Sequence, residues 1–421
     1  MKITHFLIVT VLCLGMFNLT TVQAQDTAKA DTSVSLKKVL RVNRYPIGYD
    51  TEGLTGKGGQ WLRRQAKEAT IVTLGETHLS QEIPALMTAL IKDLQQADEF
   101  DHLAIEVSPW TTELMTKQLQ QGNGAYNELI KQHPFAVPFY NFQTERKLLQ
   151  QAVKGSDAEQ PLWGLDQIFA FSLDLALDRL KALAPSKQAQ RAIHKIRKAG
   201  RSKSADHLQL QKLAEAVPTP ISVYQPVTFD TLRSHFEGNR EAQQILAELS
   251  KSVEIYRLND TNNYVSNQIR ARYMRDNLRN SLQYAQRTAD ENPQVVVKVG
   301  ARHAYRGMTP NNTLDVDNLS VALARAMDGE ALNVAVLCGA NSKMSAFPTR
   351  EAQCTAGNFG KTFKSLAKKR SVVFDLSKVH LMLHEGALHP DRDLEKFLWA
   401  FDAVVIIPNT TPAEPIFTSG K

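Results

Sequence analysis

The chain has 421 residues, a formal net charge of +7 and 43% hydrophobic residues. That apolar content suffices for one large core or two smaller ones and excludes a disordered or fibrous protein. Much of the positive excess lies in 187–203, with Arg191, Lys195, Arg197, Lys198 and Arg201. No aromatic side chain interleaves those cations, so they read as a solvated helix or loop and not as a nucleic-acid surface.

In chain order, the first element is a leader. Lys2 precedes the apolar stretch 6–16, and Val22-Gln-Ala24 has the small-x-small form of a cleavage site. Residues 1–24 therefore read as a secretory signal peptide, too short to span a bilayer. Leu12 is too bulky for the lipid-attachment box that Cys13 would otherwise suggest. Residues 25 to about 40 are small and polar and read as a flexible leader. No later segment is apolar for long enough to cross a membrane, so the expected location is the periplasm or the cell exterior. In an oxidising compartment the two remaining cysteines, Cys338 and Cys354, are expected to form a disulfide that has no direct effect on chemistry.

Short β-branched runs at 71–74, 103–107, 162–165, 295–299, 334–338, 372–376 and 403–407 read as buried strands. Helical patterns separate most of them, which predicts an α/β fold with a mixed, largely parallel sheet. After His78, Ser80 is placed to cap a helix that buries Ile83, Leu86, Met87, Leu90, Ile91 and Leu94, with Pro84 tolerated in its first turn. Residues 173–292 contain no convincing strand. They read as a helical insertion, with a long run over 241–289 broken near 259–263, forming a lid or wall over the sheet. The whole of 25–421 is expected to form a single domain, with halves at about 60–170 and 290–410.

Two of the runs stop alike. The first ends on Gly75-Glu-Thr-His78 and the second on Gly300-Ala-Arg-His303. Functional groups of open α/β sheets gather just beyond the carboxyl ends of the strands. A glycine there is expected to let the chain turn sharply, so that the histidine three residues on points back into the crevice. Glu76, His78, Glu106, Asp166 and His303 all fall at or just past predicted strand ends. If those strands are parallel neighbours, the side chains converge. A histidine flanked by carboxylates is suited to act as a general base on water, and a poorly solvated carboxylate beside another has a raised pKa and can serve as an acid. Arg270, on the long helical run with Met274 and Asn277, is suited to clamp a carboxylate or stabilise an oxyanion. No Gly-x-Ser-x-Gly elbow, P-loop or dinucleotide fingerprint is present. His384 and His389 are five apart, one too many for a helical zinc-binding pair.

Leu74-Gly-Glu-Thr-His78 with Glu82, followed by Leu103-Ala-Ile-Glu106, resembles the opening of erythromycin-esterase-like proteins. Trp163-Gly-Leu-Asp-Gln167, the Arg270/Met274/Asn277 helix, Val299-Gly-Ala-Arg-His303 and Phe401-Asp-Ala-Val-Val-Ile-Ile407 resemble later motifs of that family in the same order. Paired Gly-x-x-His motifs also mark the wider superfamily of haem-linked ChaN lipoproteins and Tiki/TraB proteins, some of which are metalloproteases. The resemblance implies two duplicated α/β halves with the site between them. It also implies metal-independent hydrolysis in which His78 is the general base, Glu76 and Glu106 are its carboxylate partners, and His303 and Arg270 are site residues of the second half.

The leading expectation is an exported hydrolase of an ester, lactone or amide that acts on a small-molecule substrate and requires no cofactor. The first alternative is a metal-dependent hydrolase of the Tiki type, with Glu76, His78, Glu106 and His303 as ligands of a divalent metal. The second is a ChaN-like protein that binds haem or another small molecule through His78 or His303.

Overall fold

All seven β-branched runs are strands, and they lie in one sheet with a short eighth strand at its edge. In the computed structural model these are β1 (Arg44–Pro46), β2 (Ala69–Glu76), β3 (His102–Ile105), β4 (Leu162–Gly164), β5 (Val295–Gly300), β6 (Glu330–Cys338), β7 (Val372–Asp375) and β8 (Ala403–Ile407). Residues 35–207, 220–288, 292–346, 350–354 and 360–417 are described. The expected signal peptide at 1–24 lies outside them. Within the stretch expected to be a flexible leader, Leu36–Val42 forms a helix that buries Val39 and Leu40, while 25–34 lie outside the described residues.

The sheet order is β1-β7-β8-β6-β2-β5-β3-β4. The six strands from β8 to β4 are parallel to their neighbours, while β7 runs antiparallel to both β8 and β1. The run of six is symmetric. Exchanging β2, β3 and β4 for β5, β6 and β8 reproduces the same order from the other end. The pseudo-axis passes between β2 and β5, the two strands that carry the Gly-x-x-His motifs. The halves therefore interdigitate, with β2 inserted between β5 and β6, and β5 between β2 and β3. In register, Glu76 lies opposite Gly300 and Ile105 opposite Lys298, so the carboxyl ends of β2, β5 and β3 are level.

Strand alternation sends side chains to two cores. Val72, Leu74, Leu103, Ile105 and Val296 pack on one face with Ile83, Leu86 and Leu90 of helix Glu82–Gln95 and Leu148 and Leu149 of helix Gln143–Lys154. Ile71, Ala104, Val297 and Val299 pack on the other with Met274, Leu278 and Leu282 of helix Asn263–Thr288 and Val316 and Ala324 of helix Val316–Ala326. Gln81, not Ser80, occupies the N-cap position of helix Glu82–Gln95 without a side-chain capping bond, and the buried Ser80 hydroxyl has no hydrogen-bond partner. The long helical run is two helices, Arg240–Thr261 and Asn263–Thr288, broken at Asn262. The second is part of a sheet face, so this portion of the insertion is a wall and not a lid.

Cys338 and Cys354 are disulfide-bonded across a separation of 16 residues. The bridge ties the end of β6 to a hairpin of Lys343–Ala346 and Arg350–Gln353. Met344 of that hairpin forms a buried cluster with the two cysteines, Leu79 packs against that cluster, and the Ser345 N–H donates to the Leu79 carbonyl at 2.9 Å. The tethered hairpin thus packs on the residue next to His78, while neither cysteine touches the histidine–carboxylate set. Closing a loop of this size stabilises a fold by about 3 kcal/mol in the chain-entropy model. Replacing both cysteines by serine is expected to lower unfolding free energy by about that amount in urea titrations. A loss below about 1 kcal/mol would contradict the assignment of a stabilising tether.

Candidate active site

His78 and His303 lie at the carboxyl ends of neighbouring strands, and each has a carboxylate on its Nδ1. His78 Nδ1 is 2.7 Å from Glu76 Oε1, and His303 Nδ1 is 2.9 Å from Asp315 Oδ2. Both rings turn Nε2 toward one carboxylate, Glu106, at 3.5 Å from Oε2 and Oε1 respectively. Glu106 is held from the other side by Arg270 at 2.9 Å and by the Gly300 backbone N–H at 2.7 Å. Arg270 also grips Asp166 through Nε at 2.9 Å and through its terminal nitrogen. Asn277 anchors the same helix by donating to the Leu165 carbonyl at 2.7 Å.

Gly75 and Gly300 do more for spacing than for turning. Neither has a positive φ. A Cβ on Gly300 would sit 2.7 Å from His78 Nε2, and one on Gly75 would sit 2.6 Å from Ala304 Cβ. The expected sharp turn falls instead at Leu79, with φ 71°. Phe139, also left-handed at φ 66°, stacks on the His78 ring with centroids 3.9 Å apart. Two strained non-glycine residues beside one imidazole are typical of a site whose geometry is over-determined by its surroundings.

A second charged layer lies beneath Glu76. Lys298, only 1% exposed in the middle of β5, donates to Glu76 Oε1 at 2.5 Å and to Glu145 Oε1 at 3.1 Å. Its ammonium is 3.5 Å from the Tyr140 hydroxyl. Lys298 and Glu76 share the parity of Val296 and Leu74, which aims both at the face where helix Gln143–Lys154 packs.

Protonation follows from these partners. Burial lowers the His78 pKa, but the Glu106 and Glu76 carboxylates outweigh it and hold the imidazole up at about 9. His303 is likewise raised, with burial opposed by Asp315 and Glu106. Burial would raise Glu106, yet His303, His78 and Arg270 hold it well below the usual carboxylate range. Burial of Glu76 is offset in the same way by Lys298 and His78, so its pKa is lowered. Neither expected carboxylate is therefore an acid, because each has a cation against it. In the layer beneath Glu76, burial pushes the Glu145 carboxyl up to about 7, with Lys298 opposing the shift.

Of the six residues read from the sequence, Glu76, His78, Glu106 and His303 share direct contacts. Arg270 joins them through Glu106, and Asp166 joins through Arg270. Arg270 clamps the protein's own carboxylates, so its guanidinium holds Glu106 in place. Sequence reading missed Lys298, Asp315, Glu145 and Phe139. Lys298 carried a signal, since a lysine inside a run of valines is an ionisable group forced into a core. Asp315 also fills the N-cap of helix Val316–Ala326.

The residues do not present the expected metal set. Glu76 is turned back to His78 Nδ1 and Lys298, away from the point that both Nε2 atoms face. No three His, Cys, Asp or Glu side chains among the described residues form a metal-binding group. For axial haem ligation, Nε2 of His78 or His303 would have to displace Glu106, which lies 3.5 Å from each. Among the described residues no helix is long and apolar enough to cross a membrane.

No protein-family model and no curated protein matches the chain. Solved structures share its fold. A protein from Bacillus cereus aligns at 15% identity and TM-score 0.56, over 90% of this chain and 98% of its own. A mutant of the erythromycin esterase EreC in its open conformation aligns at 14% and 0.56, over 85% and 95%. A succinoglycan biosynthesis protein aligns at 15% and 0.55, over 90% and 97%. The expected α/β fold, matching that of an erythromycin esterase, is thus the one found. At these identities the likeness extends to fold alone.

Proposed function

We propose that this protein is an exported hydrolase that opens an ester, lactone or amide by direct attack of water. The observation that carries the reading is the pair of histidine–carboxylate dyads whose Nε2 atoms face Glu106. With its Nδ1–H donated to Glu76, neutral His78 presents an Nε2 lone pair to take a proton from water. His303, held as a cation by Asp315 and Glu106, supplies positive charge for an oxyanion or a proton for a leaving group. Glu106 orients both rings, and Arg270 with the Gly300 N–H fixes Glu106. No serine or cysteine nucleophile is required. Export is supported by the disulfide and by the signal-like sequence of residues 1–24.

The test is a screen of esters, lactones and amides with the purified protein, followed by kcat/KM against pH. A base must be unprotonated, and the proton leaves His78 as pH rises through about 9. Activity is therefore expected to climb from neutrality, reach half its maximum near pH 9 and level off above it. A profile that falls over that interval would make His78 an acid and contradict the assignment.

A further inference from the structure

We propose that Lys298 is a positioning residue for this hydrolysis: it shares one oxygen of Glu76 with His78 and so limits how firmly Glu76 holds the imidazole proton. The inference rests on the hydrolase reading for its kinetic consequence, but not for its structural one. A buried ammonium is a burden on stability that a valine in this strand would avoid, which calls for another reason for its presence. Glu76 Oε1 accepts from His78 Nδ1 at 2.7 Å and from Lys298 Nζ at 2.5 Å, while Glu76 Oε2 has no partner. Two donors therefore compete for one acceptor atom. Without Lys298 the whole charge of Glu76 would fall on His78, and the base form would appear only at higher pH.

The groups facing this pair come from every neighbouring element. Glu106 just after β3 and His303 after β5 lie on the Nε2 side, with Arg270 behind Glu106. Glu145 from helix Gln143–Lys154 and the Tyr140 hydroxyl lie on the far side of Lys298. Phe139 covers the His78 ring and carries no charge. Among these groups only Lys298 bonds the Glu76 oxygen that His78 uses.

Lys298→Met alone would leave Glu76 and Glu145 buried without a cation, so folding could fail for reasons unrelated to His78. The double variant Lys298→Met/Glu145→Gln removes one charge of each sign, and Glu145→Gln alone is its control. The direct readout is the NMR titration midpoint of the His78 ring in the intact protein, and the second is the acidic limb of kcat/KM. In the double variant the midpoint is expected to rise by about one pH unit or more, a tenfold gain in proton affinity. The acidic limb should move with it at unchanged KM. Glu145→Gln should not raise the midpoint, and Lys298→Arg, which keeps the cation, should hold it near the parent value. A folded double variant with an unmoved or lowered midpoint would overturn the proposal, as would an equal rise in Lys298→Arg. If the midpoint rises but the parent protein has no acidic limb, the role of Lys298 stands and the general-base assignment of His78 fails.

Discussion

Replacing His78 by alanine is expected to lower kcat/KM by about a hundredfold to ten-thousandfold, the usual loss when a positioned general base is removed. The fold should survive. The His78 ring keeps 17% side-chain exposure, and Glu76 retains the Lys298 ammonium as its partner, so no buried carboxylate is left bare. The urea midpoint should therefore stay close to that of the parent protein. Full turnover in a folded His78→Ala variant would remove His78 from the mechanism.

The largest stability effect is expected at Arg270. Its side chain is 23% exposed, and it closes ion pairs to Glu106 and Asp166, which are 6% and 9% exposed. Changing it to methionine preserves much of the apolar stem but leaves buried Asp166 without its cation and Glu106 with only His78, His303 and the Gly300 N–H. Removing one partner of a buried pair typically costs about 3–5 kcal/mol, far more than an exposed ion pair contributes. Arg270→Lys should recover only part of this, since an ammonium cannot reproduce the two-pronged grip on Asp166. The loss should shrink in an Asp166→Asn background, where one of the stranded charges is absent. A deficit below about 1 kcal/mol in Arg270→Met would show that the clamp does not stabilise the fold.

Sequence patterns revealed the sheet better than its decoration. β2, β5 and β8 are dense in valine and isoleucine, and burial on both faces leaves few other ways to read such runs. β1 escaped notice because it is three residues long, contains Pro46 and pairs only at the edge with β7. The strand-end rule brought out Glu76, His78, Glu106, Asp166 and His303, because parallel order alone decides that their Cα atoms end up on one edge. It could not say which partner each would take. Asp315 reaches His303 from 12 residues on, while Phe139, Tyr140 and Glu145, the last from helix Gln143–Lys154, arrive through tertiary packing. Hence the prediction of a raised carboxylate failed at Glu76 and Glu106. The buried cations that hold them ionised, Lys298 and Arg270, come from a strand and a helix more than a hundred residues away.

The central claim is that water, activated at His78, attacks the substrate carbonyl with no covalent enzyme intermediate. One measurement addresses it directly: a single turnover of a cleaved ester with protein in excess, run in heavy-oxygen water. Direct attack places the heavy oxygen in the released acid and leaves every peptide of the protein unlabelled. Heavy oxygen in the peptide carrying Glu106 would mean that a carboxylate had formed and lost an acyl bond, and it would contradict the account.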